Sequence, residues 1–285
     1  MSSLNHILKF GTTALAALVL SACGSSGGGS DDQDVSTPTY QPEQNQPSTA
    51  ANNAQQPTTS SSQPTSPTTT PNQVLTAKNI GFVIPKAKGG EVEIAYPQAE
   101  AVDLDVLNVE GKSFNIVPTG WAPTEVLEIT SNNVTRLTSG KKYKNVRWGF
   151  ISQEGLNNHY LLAYGINPTT NMPTTGQATY VGNGVHSYAS NGEGIDTYHL
   201  SNAKFNVNFA DKSLEGSITP ANNKPFGNVD EIKLSAKIDG NQFSGKTAEG
   251  TETGGRFYGF GASELSGSYI NPQATQIGVF GAQKQ

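Results

Sequence analysis

The feature that most constrains this chain is a series of short alternating segments between Gly176 and Gln285. In one of them, Phe205, Val207 and Phe209 alternate with polar residues. Successive side chains of a β-strand point to opposite faces, so this pattern gives the strand one apolar and one polar face. Segments of this kind recur at roughly 8–12-residue spacing, which predicts a β-sandwich or a closed β-barrel. The candidate strands are residues 203–209, 214–218, 232–238, 242–245, 257–258, 265–270 and 277–280.

A turn within this series also matches a nucleotide-binding pattern. Asp239-Gly240 lies between two alternating segments and predicts a tight β-hairpin. Residues 240–247 also satisfy the phosphate-loop pattern G-x-x-x-x-G-K-[ST]. That loop must open a helix, because helix N-terminal amides bind the phosphates, and the Gly- and Thr-rich residues 248–255 cannot form one. We therefore interpret the match as a hairpin strand, and we expect Lys246→Ala to leave fold and ligand binding unchanged.

The front of the chain has the composition of a disordered segment. The whole chain is 34% hydrophobic, below the roughly 45–50% of globular domains. Residues 24–75 consist almost entirely of Ser, Thr, Pro, Gln, Asn, Gly and Ala. Such a segment buries too little apolar surface to offset the entropy of ordering, which predicts a tether with an r.m.s. span of roughly 40 Å. The remaining 210 or so residues suffice for one large or two small domains.

The charge distribution argues against a nucleic-acid partner. The formal net charge is −5, and no basic stripe runs along the sequence. The one basic cluster is Lys141 to Lys144 followed by Arg147. We interpret it as a solvated turn and strand start; the alternative is a docking patch for an acidic partner.

The first 23 residues have the features of an export signal. Lys9 precedes an apolar stretch, residues 12–20, that is too short to span a bilayer. Leu20-Ser-Ala-Cys23 follows and resembles the bacterial lipoprotein box, in which the cysteine is lipidated and becomes the first mature residue. The alternative is an ordinary secretory signal with a chance cysteine. Because Gly24 rather than Asp follows, the resemblance to enterobacterial lipoproteins implies an outer-membrane, lipid-anchored protein.

A β-rich unit precedes the alternating series. Residues 76–171 contain seven short extended segments separated by Gly- and Asn-containing turns. The Pro- and Gly-containing residues 171–176 form the boundary, so the second domain is residues 172–285. The candidate strands of the first unit are residues 79–84, 91–95, 104–109, 113–117, 125–129, 146–152 and 159–164.

Motifs for catalysis or for a dedicated metal site are missing from the sequence. It has no H-x-x-x-H or H-E-x-x-H pattern, and its single thiol is Cys23. We predict that the chain is not an enzyme, holds no metal and requires no cofactor.

Four residues are candidates for ligand contact. His159 and Tyr160 precede an apolar strand, and His186 follows a Gly-rich loop. Imidazole suits iron, so the histidines could ligate haem where the two units meet; the alternative is that they are half-exposed residues at strand ends. Trp121 lies in a Gly- and Pro-containing loop, where it is either a contact residue or part of a core.

The C-terminal region resembles the transferrin-binding protein B-like barrel. The resemblance is carried by Gly255-Arg-Phe-Tyr-Gly, Ala262-Ser-Glu-Leu-Ser-Gly-Ser-Tyr and Gly278-Val-Phe-Gly-Ala-Gln-Lys-Gln, and upstream by residues 172–182, 205–209 and 214–216. Phe260 stands where the family usually has Pro, and Ser266 replaces one Gly. We expect these departures to alter loop geometry at most.

The resemblance implies an all-β fold: an eight-stranded antiparallel β-barrel preceded by a small β-rich handle domain and a disordered N-terminal tether. It also implies a single-lobe, Slam-dependent surface lipoprotein, exported by a Slam-type translocator and facing the exterior. Family members capture transferrin, haem or haemoglobin for a TonB-dependent receptor, and single-lobe members include hemophilin-like haem binders. Haem or a haem protein is therefore the first expected ligand. The alternatives are a host-protein or host-surface binding module, such as one for complement regulators or colonisation, and a periplasmic structural lipoprotein.

Overall fold

The computed structural model describes residues 81–85, 95–188, 198–221, 229–271 and 276–285. All of these lie in one compact unit. The signal, Cys23, the tether and most of the strand expected at 91–95 lie outside the described residues. Within the described ranges, no helix has the length and apolar character needed to cross a bilayer.

Residues 81–165 form two antiparallel sheets, which we call the handle. The larger sheet has the order β1-β8-β7-β6-β5 and the smaller one β2-β3-β4. The handle strands are β1 (Gly81–Pro85), β2 (Ala99–Ala101), β3 (Val106–Val109), β4 (Lys112–Asn115), β5 (Val126–Ser131), β6 (Val134–Ser139), β7 (Val146–Gln153) and β8 (Asn158–Gly165).

The remaining strands form a closed eight-stranded antiparallel barrel, which confirms the predicted architecture. The first strand, β9, pairs with both β10 and the last strand, β16, and so closes the sheet. The barrel strands are β9 (Gln177–Tyr188), β10 (Tyr198–Asn208), β11 (Ser213–Pro220), β12 (Ile232–Asp239), β13 (Gln242–Lys246), β14 (Glu252–Tyr258), β15 (Glu264–Asn271) and β16 (Gln276–Lys284).

The predicted hairpin replaces the apparent phosphate loop. Asp239 on β12 pairs with Gln242 on β13 across a two-residue turn. Gly240 in that turn has a φ of 56°, a left-handed conformation that favours glycine. Lys246 ends β13 and forms an exposed ion pair with Glu252, with 3.0 Å between Nζ and Oε1. No helix follows, so the geometry of a phosphate-binding loop does not arise here.

The larger handle sheet is covered on both faces. Trp148, Phe150 and Leu161 belong to a core that includes Val185 and Val279 of the barrel wall. Side chains on the opposite face pack against the smaller sheet, and they include Ile151, Tyr160, Leu162 and Tyr164. Strands buried on both faces have nearly continuous apolar sequences, which explains why β7 and β8 lack strict alternation.

Candidate ligand-contact site

His159 lies in an aromatic stack where the handle meets the barrel. Its ring centroid is 5.4 Å from that of Phe150 on β7 and 5.3 Å from that of Tyr198 at the start of β10. The Phe150 and Tyr198 rings stack at 3.5 Å. His159 is half-buried, so it lies near the junction of the two units, where the sequence had suggested a contact.

His186 lies inside the barrel and is completely buried. Its Nδ1 shares a hydrogen bond of 2.6 Å with the hydroxyl of Tyr269, with the donor set by the imidazole tautomer. His199 stands directly opposite it on β10. Burial first, and then the nearby His199, lower the pKa of His186 to about 3. The imidazole is therefore neutral at physiological pH.

The two histidines are on opposite faces of the barrel wall. Tyr198, which stacks on His159, pairs with Ser187, the residue next to His186. Because neighbouring side chains of a strand alternate faces, Ser187 and Tyr198 face outward and His186 faces inward. The structure therefore does not assemble these histidines into one ligand set.

Tyr160 has a structural environment in the handle. It follows His159 on β8 and so faces the other side of the sheet, against Phe114, at 5.7 Å between ring centroids. Its hydroxyl donates a 2.8 Å hydrogen bond to Oε2 of Glu110, which also accepts from the Asn158 amide at 3.0 Å. Burial, followed by the hydrogen bond and charge of Glu110, raises the pKa of Tyr160 to about 12. Tyr160 is therefore buried on the face of the sheet opposite the aromatic stack.

Trp121 lies in the segment between β4 and β5 and is 42% exposed. The segment reaches the turn at residues 140–144, because the Lys142 amide donates to the carbonyl of Thr124 at 3.0 Å. The location fits a contact residue, and that role stays a prediction.

The basic cluster divides into exposed lysines and buried neighbours. Lys142 and Lys144 are exposed, as the interpretation of a solvated turn requires. Tyr143 between them is fully buried. Arg147 is 2% exposed and donates to Oδ1 of Asp105 from Nη2 at 2.7 Å and Nε at 2.9 Å. Arg147 is therefore an internal ion-pair residue of the handle, which corrects its assignment to the solvated cluster.

The turn that carries Lys141, Lys142 and Lys144 is held against the barrel by one buried carboxylate. Glu264 on β15 is 3% exposed. Its Oε1 accepts the Lys144 amide at 2.8 Å, and its Oε2 accepts the Asn145 amide at 2.7 Å. Gln283 on β16 also donates to Oε1, at 3.1 Å. Sequence patterns do not predict this contact, because it joins residues about 120 positions apart.

The structure also shows an exposed aromatic side chain at a position that we expected only to alter loop geometry. Phe260, in the turn between β14 and β15, is 98% exposed. Its neighbours Gly259 and Gly261 have φ values of 76° and 62°. The pattern Gly-Phe-Gly could have been read as a turn tip that presents an aromatic ring, since both glycines suit left-handed backbone.

A shallow groove of about 320 Å³ lies on the barrel wall where β9, β10 and β11 meet. Its polar lining includes Gln177, Thr179, Asn206 and Glu215, and none of the histidines. Among the described residues, no three His, Cys, Asp or Glu side chains are grouped so that they could hold a metal ion.

Comparison with known proteins shows what the barrel is similar to. Residues 172–284 match the family described as C-lobe and N-lobe beta barrels of Tf-binding protein B. An uncharacterized Haemophilus influenzae (strain Rd) protein is 28% identical over 98% of this chain and 99% of its own length. Transferrin-binding protein B of Haemophilus influenzae (strain 86-028NP) is 26% identical over 94% of this chain. The chain spans 50% of the length of that transferrin-binding protein.

A solved structure gives the same fold. The crystal structure of a variant of transferrin-binding protein B from Haemophilus parasuis Hp5 has a TM-score of 0.54 and 21% sequence identity. The match covers 72% of this chain and 44% of that chain. The arrangement of barrel and handle strands is therefore that of a known fold.

Proposed function

We propose that this chain is a surface-displayed lipoprotein that binds a host macromolecule, on the premise that residues 172–284 match the barrels of Tf-binding protein B. The relative that matches 94% of the chain is named for binding transferrin. The proposal transfers the class of activity, binding without catalysis, and leaves the identity of the ligand open to experiment.

The observation that carries this proposal is that the barrel is filled. Its interior is packed with buried apolar side chains, among them Phe205, Phe243, Phe257, Phe280 and Leu214. A small barrel filled in this way acts as a scaffold. Ligand contacts therefore fall on its turns, on its outer wall and on the handle, which suits a macromolecular partner better than an enclosed small molecule.

In this proposal, residues 1–23 direct export, Cys23 carries the lipid, and residues 24–75 hold the folded domains away from the outer membrane. The proposed domain boundary falls before residue 172, so that the first domain, residues 76–171, includes the handle, and the second domain, residues 172–285, is the barrel domain. A Slam-type translocator would deliver the protein to the surface, and a TonB-dependent receptor would accept any captured nutrient.

Surface display is tested by protease treatment of intact cells. We expect degradation of the exposed chain on intact cells, incorporation of labelled palmitate into the wild type, and loss of both label and membrane association in Cys23→Ala. Protection of the chain until the outer membrane is permeabilised would instead place it in the periplasm.

Binding is tested with the soluble chain from residue 24 onward. Transferrin is the first probe, because a relative is named for it, and serum proteins as a mixture are the second. We expect saturable binding of at least one host protein at micromolar concentration or below. Absence of saturable binding to every host fraction would remove the proposed function.

Haem is the second candidate ligand, and the position of His159 favours it. This histidine is half-buried beside two aromatic rings at the handle–barrel junction, whereas His186 is enclosed. We expect any Soret shift on haem addition to be lost in His159→Ala and kept in His186→Gln. An unshifted spectrum of the wild-type protein would eliminate haem.

A further inference from the structure

One aromatic side chain of the barrel is presented almost entirely to solvent. Phe260 is 98% exposed at the turn between β14 and β15, whereas the large aromatic side chains around it are buried. Transfer of a phenyl ring from water to an apolar site is favourable. The Phe260 ring is not buried by folding, so burial by a binding partner would contribute this free energy to binding.

The turn that carries this ring is held firmly. The Gly259 amide donates to the carbonyl of Asn167 at 2.9 Å, and Oγ1 of Thr169 donates to the carbonyl of Gly259 at 2.8 Å. On the other side of the ring, the hydroxyl of Tyr180 donates to the carbonyl of Ala262. An anchor on a pre-organised turn loses little conformational entropy when it binds.

Lysines lie next to the turn. Nζ of Lys284 lies 3.5 Å from the carbonyl oxygen of Gly261. The segment with Lys141, Lys142 and Lys144 is adjacent, because Glu264 of the same turn region accepts the Lys144 amide. The acidic groups that face these lysines are Glu125, which is paired with Lys142 at 3.2 Å, and the buried Glu264. Four lysine side chains against two side-chain carboxylates give this surface a positive balance on a chain whose net charge is −5.

We infer that Phe260 and the lysines at 141, 142, 144 and 284 form a docking surface for an acidic protein with an apolar pocket that receives the phenyl ring. The inference rests on the proposed function and names the surface and the kind of partner. A buried aromatic anchor surrounded by complementary charges has the composition of a protein–protein hot spot. Trp121 lies three residues before Thr124, whose carbonyl accepts the Lys142 amide, so its segment borders the turn that carries these lysines.

A protein partner is favoured over an anionic membrane. Membrane-surface binding depends on a broad apolar face inserted among the headgroups, whereas this turn offers one ring flanked by two glycines. A single rigid anchor matches a pocket, and the lysines then set orientation and association rate.

The test uses the full-length lipoprotein on intact cells, with the photo-crosslinker p-benzoylphenylalanine at position 260 and, as the control, at position 96. Tyr96 is also an exposed aromatic residue, at 50% exposure, and it lies in the handle. After irradiation in serum, the protein in any adduct is identified, purified and titrated against soluble wild-type and variant chains. We expect an adduct at position 260 alone, and an affinity at least about tenfold weaker for Phe260→Ala.

Charge variants test the remainder of the surface. We expect Lys144→Glu and Lys284→Glu to weaken binding, and the loss to shrink as salt is added. Lys233→Glu, on the exposed side of β12, and Tyr96→Ala should bind like the wild type. All variants are first compared by thermal unfolding, where Phe260→Ala should match the wild type because the side chain has no packing to lose.

The outcomes separate this inference from the proposed function. If a host protein binds wild type and Phe260→Ala equally, the docking surface is wrong and the proposed function stands. If the variant instead loses only binding to phosphatidylglycerol vesicles, the surface is a membrane contact and the inference is overturned. If no host protein binds the wild type, both the inference and the proposed function fail.

Discussion

At the scale of single residues, His186 links the stability of the barrel to pH. Its folded-state pKa of about 3 lies below the ordinary value of 6.5 because burial excludes the charged form. Below about pH 6.5 the imidazole of His186 binds a proton in the unfolded chain, whereas it stays neutral in the folded chain. The contribution of this group to stability is therefore complete above about pH 6.5 and falls by about 1.4 kcal/mol per pH unit as the pH decreases toward about 3.

We expect His186→Gln to remove this dependence. Between about pH 7 and about pH 5, the free energy of unfolding of the wild type should fall by about 2 kcal/mol more than that of the variant. Tyr269→Phe is the matched control, because it removes the hydrogen bond to His186 and leaves the imidazole able to titrate. Urea unfolding at the two pH values measures the free energy of unfolding of the wild type and of both variants. Parallel pH dependence of wild type and His186→Gln would contradict this account.

Glu264 is the second residue whose role can be isolated. Its two oxygens accept the backbone amides of Lys144 and Asn145. Glu264→Gln replaces one acceptor by an NH₂ group that faces a donor, so we expect a loss of roughly 1.5–3 kcal/mol in the free energy of unfolding. Glu252→Gln removes an exposed ion pair with Lys246 and should cost less than about 1 kcal/mol. If Glu264→Gln and Glu252→Gln lowered the free energy of unfolding equally in chemical denaturation, the buried hydrogen bonds of Glu264 would contribute no more than an exposed ion pair.

At the scale of strands, the barrel interior depends on pairs of glycine and aromatic residues. In each pair the two residues stand opposite each other on neighbouring strands, and a Cβ added to the glycine would lie 2.3–2.8 Å from a ring atom. The glycines therefore give the rings space to lie flat inside the barrel. The pairs are Gly216 with Phe205, Gly255 with Phe243, Gly267 with Phe280, and Gly278 with Tyr269.

Two consecutive glycines on β14 provide a matched test. A Cβ at Gly255 would meet Cζ of Phe243 at 2.3 Å and the carbonyl oxygen of Ser266 at 2.4 Å, whereas one at Gly254 would meet only the carbonyl oxygen of Phe243, at 3.7 Å. We expect Gly255→Ala to lower the free energy of unfolding by about 1–3 kcal/mol or to prevent folding. Gly254→Ala should stay within about 1 kcal/mol of the wild type. Similar unfolding curves for the two variants would disprove the pairing argument.

The same scale shows why the sequence predicted the barrel better than the handle. Barrel strands with one face in solvent alternate, as in residues 203–209, because the other face meets the filled interior. Strand β6 was missed because Arg136, a charged residue in the sequence, is buried there with Nε donating 2.8 Å to the carbonyl of Asn115. A side chain satisfied by a distant backbone carbonyl leaves no local signal.

The candidate site was less predictable than the fold for a related reason. His159 and His186 were paired by expectation, but strand alternation places them on opposite sides of the barrel wall. The exposure of Phe260 depends on what surrounds the turn in three dimensions, and composition alone does not provide that. Surface contacts are set by neighbours that are remote in sequence, as the contact between Glu264 and Lys144 illustrates.

At the scale of the whole molecule, the handle and the barrel share one core. Val185, Ile277 and Val279 of the barrel wall are completely buried in the cluster that contains Trp148 of the handle. Full burial of an aliphatic side chain contributes about 1.5–3 kcal/mol, so exposing these three would cost roughly 5–9 kcal/mol, comparable with the total stability of a typical domain.

We therefore expect residues 76–285 to unfold in one calorimetric transition, and residues 172–285 alone to aggregate or to melt at a lower temperature. Replacing Val185, Ile277 and Val279 by Thr in the isolated barrel should improve its solubility, because these side chains would then face water. The same triple replacement in residues 76–285 should lower the melting temperature, because it places hydroxyl groups in the shared core. Two separate transitions, or an isolated barrel as stable as the longer chain, would mean that the handle is an independent domain and that the shared core contributes little.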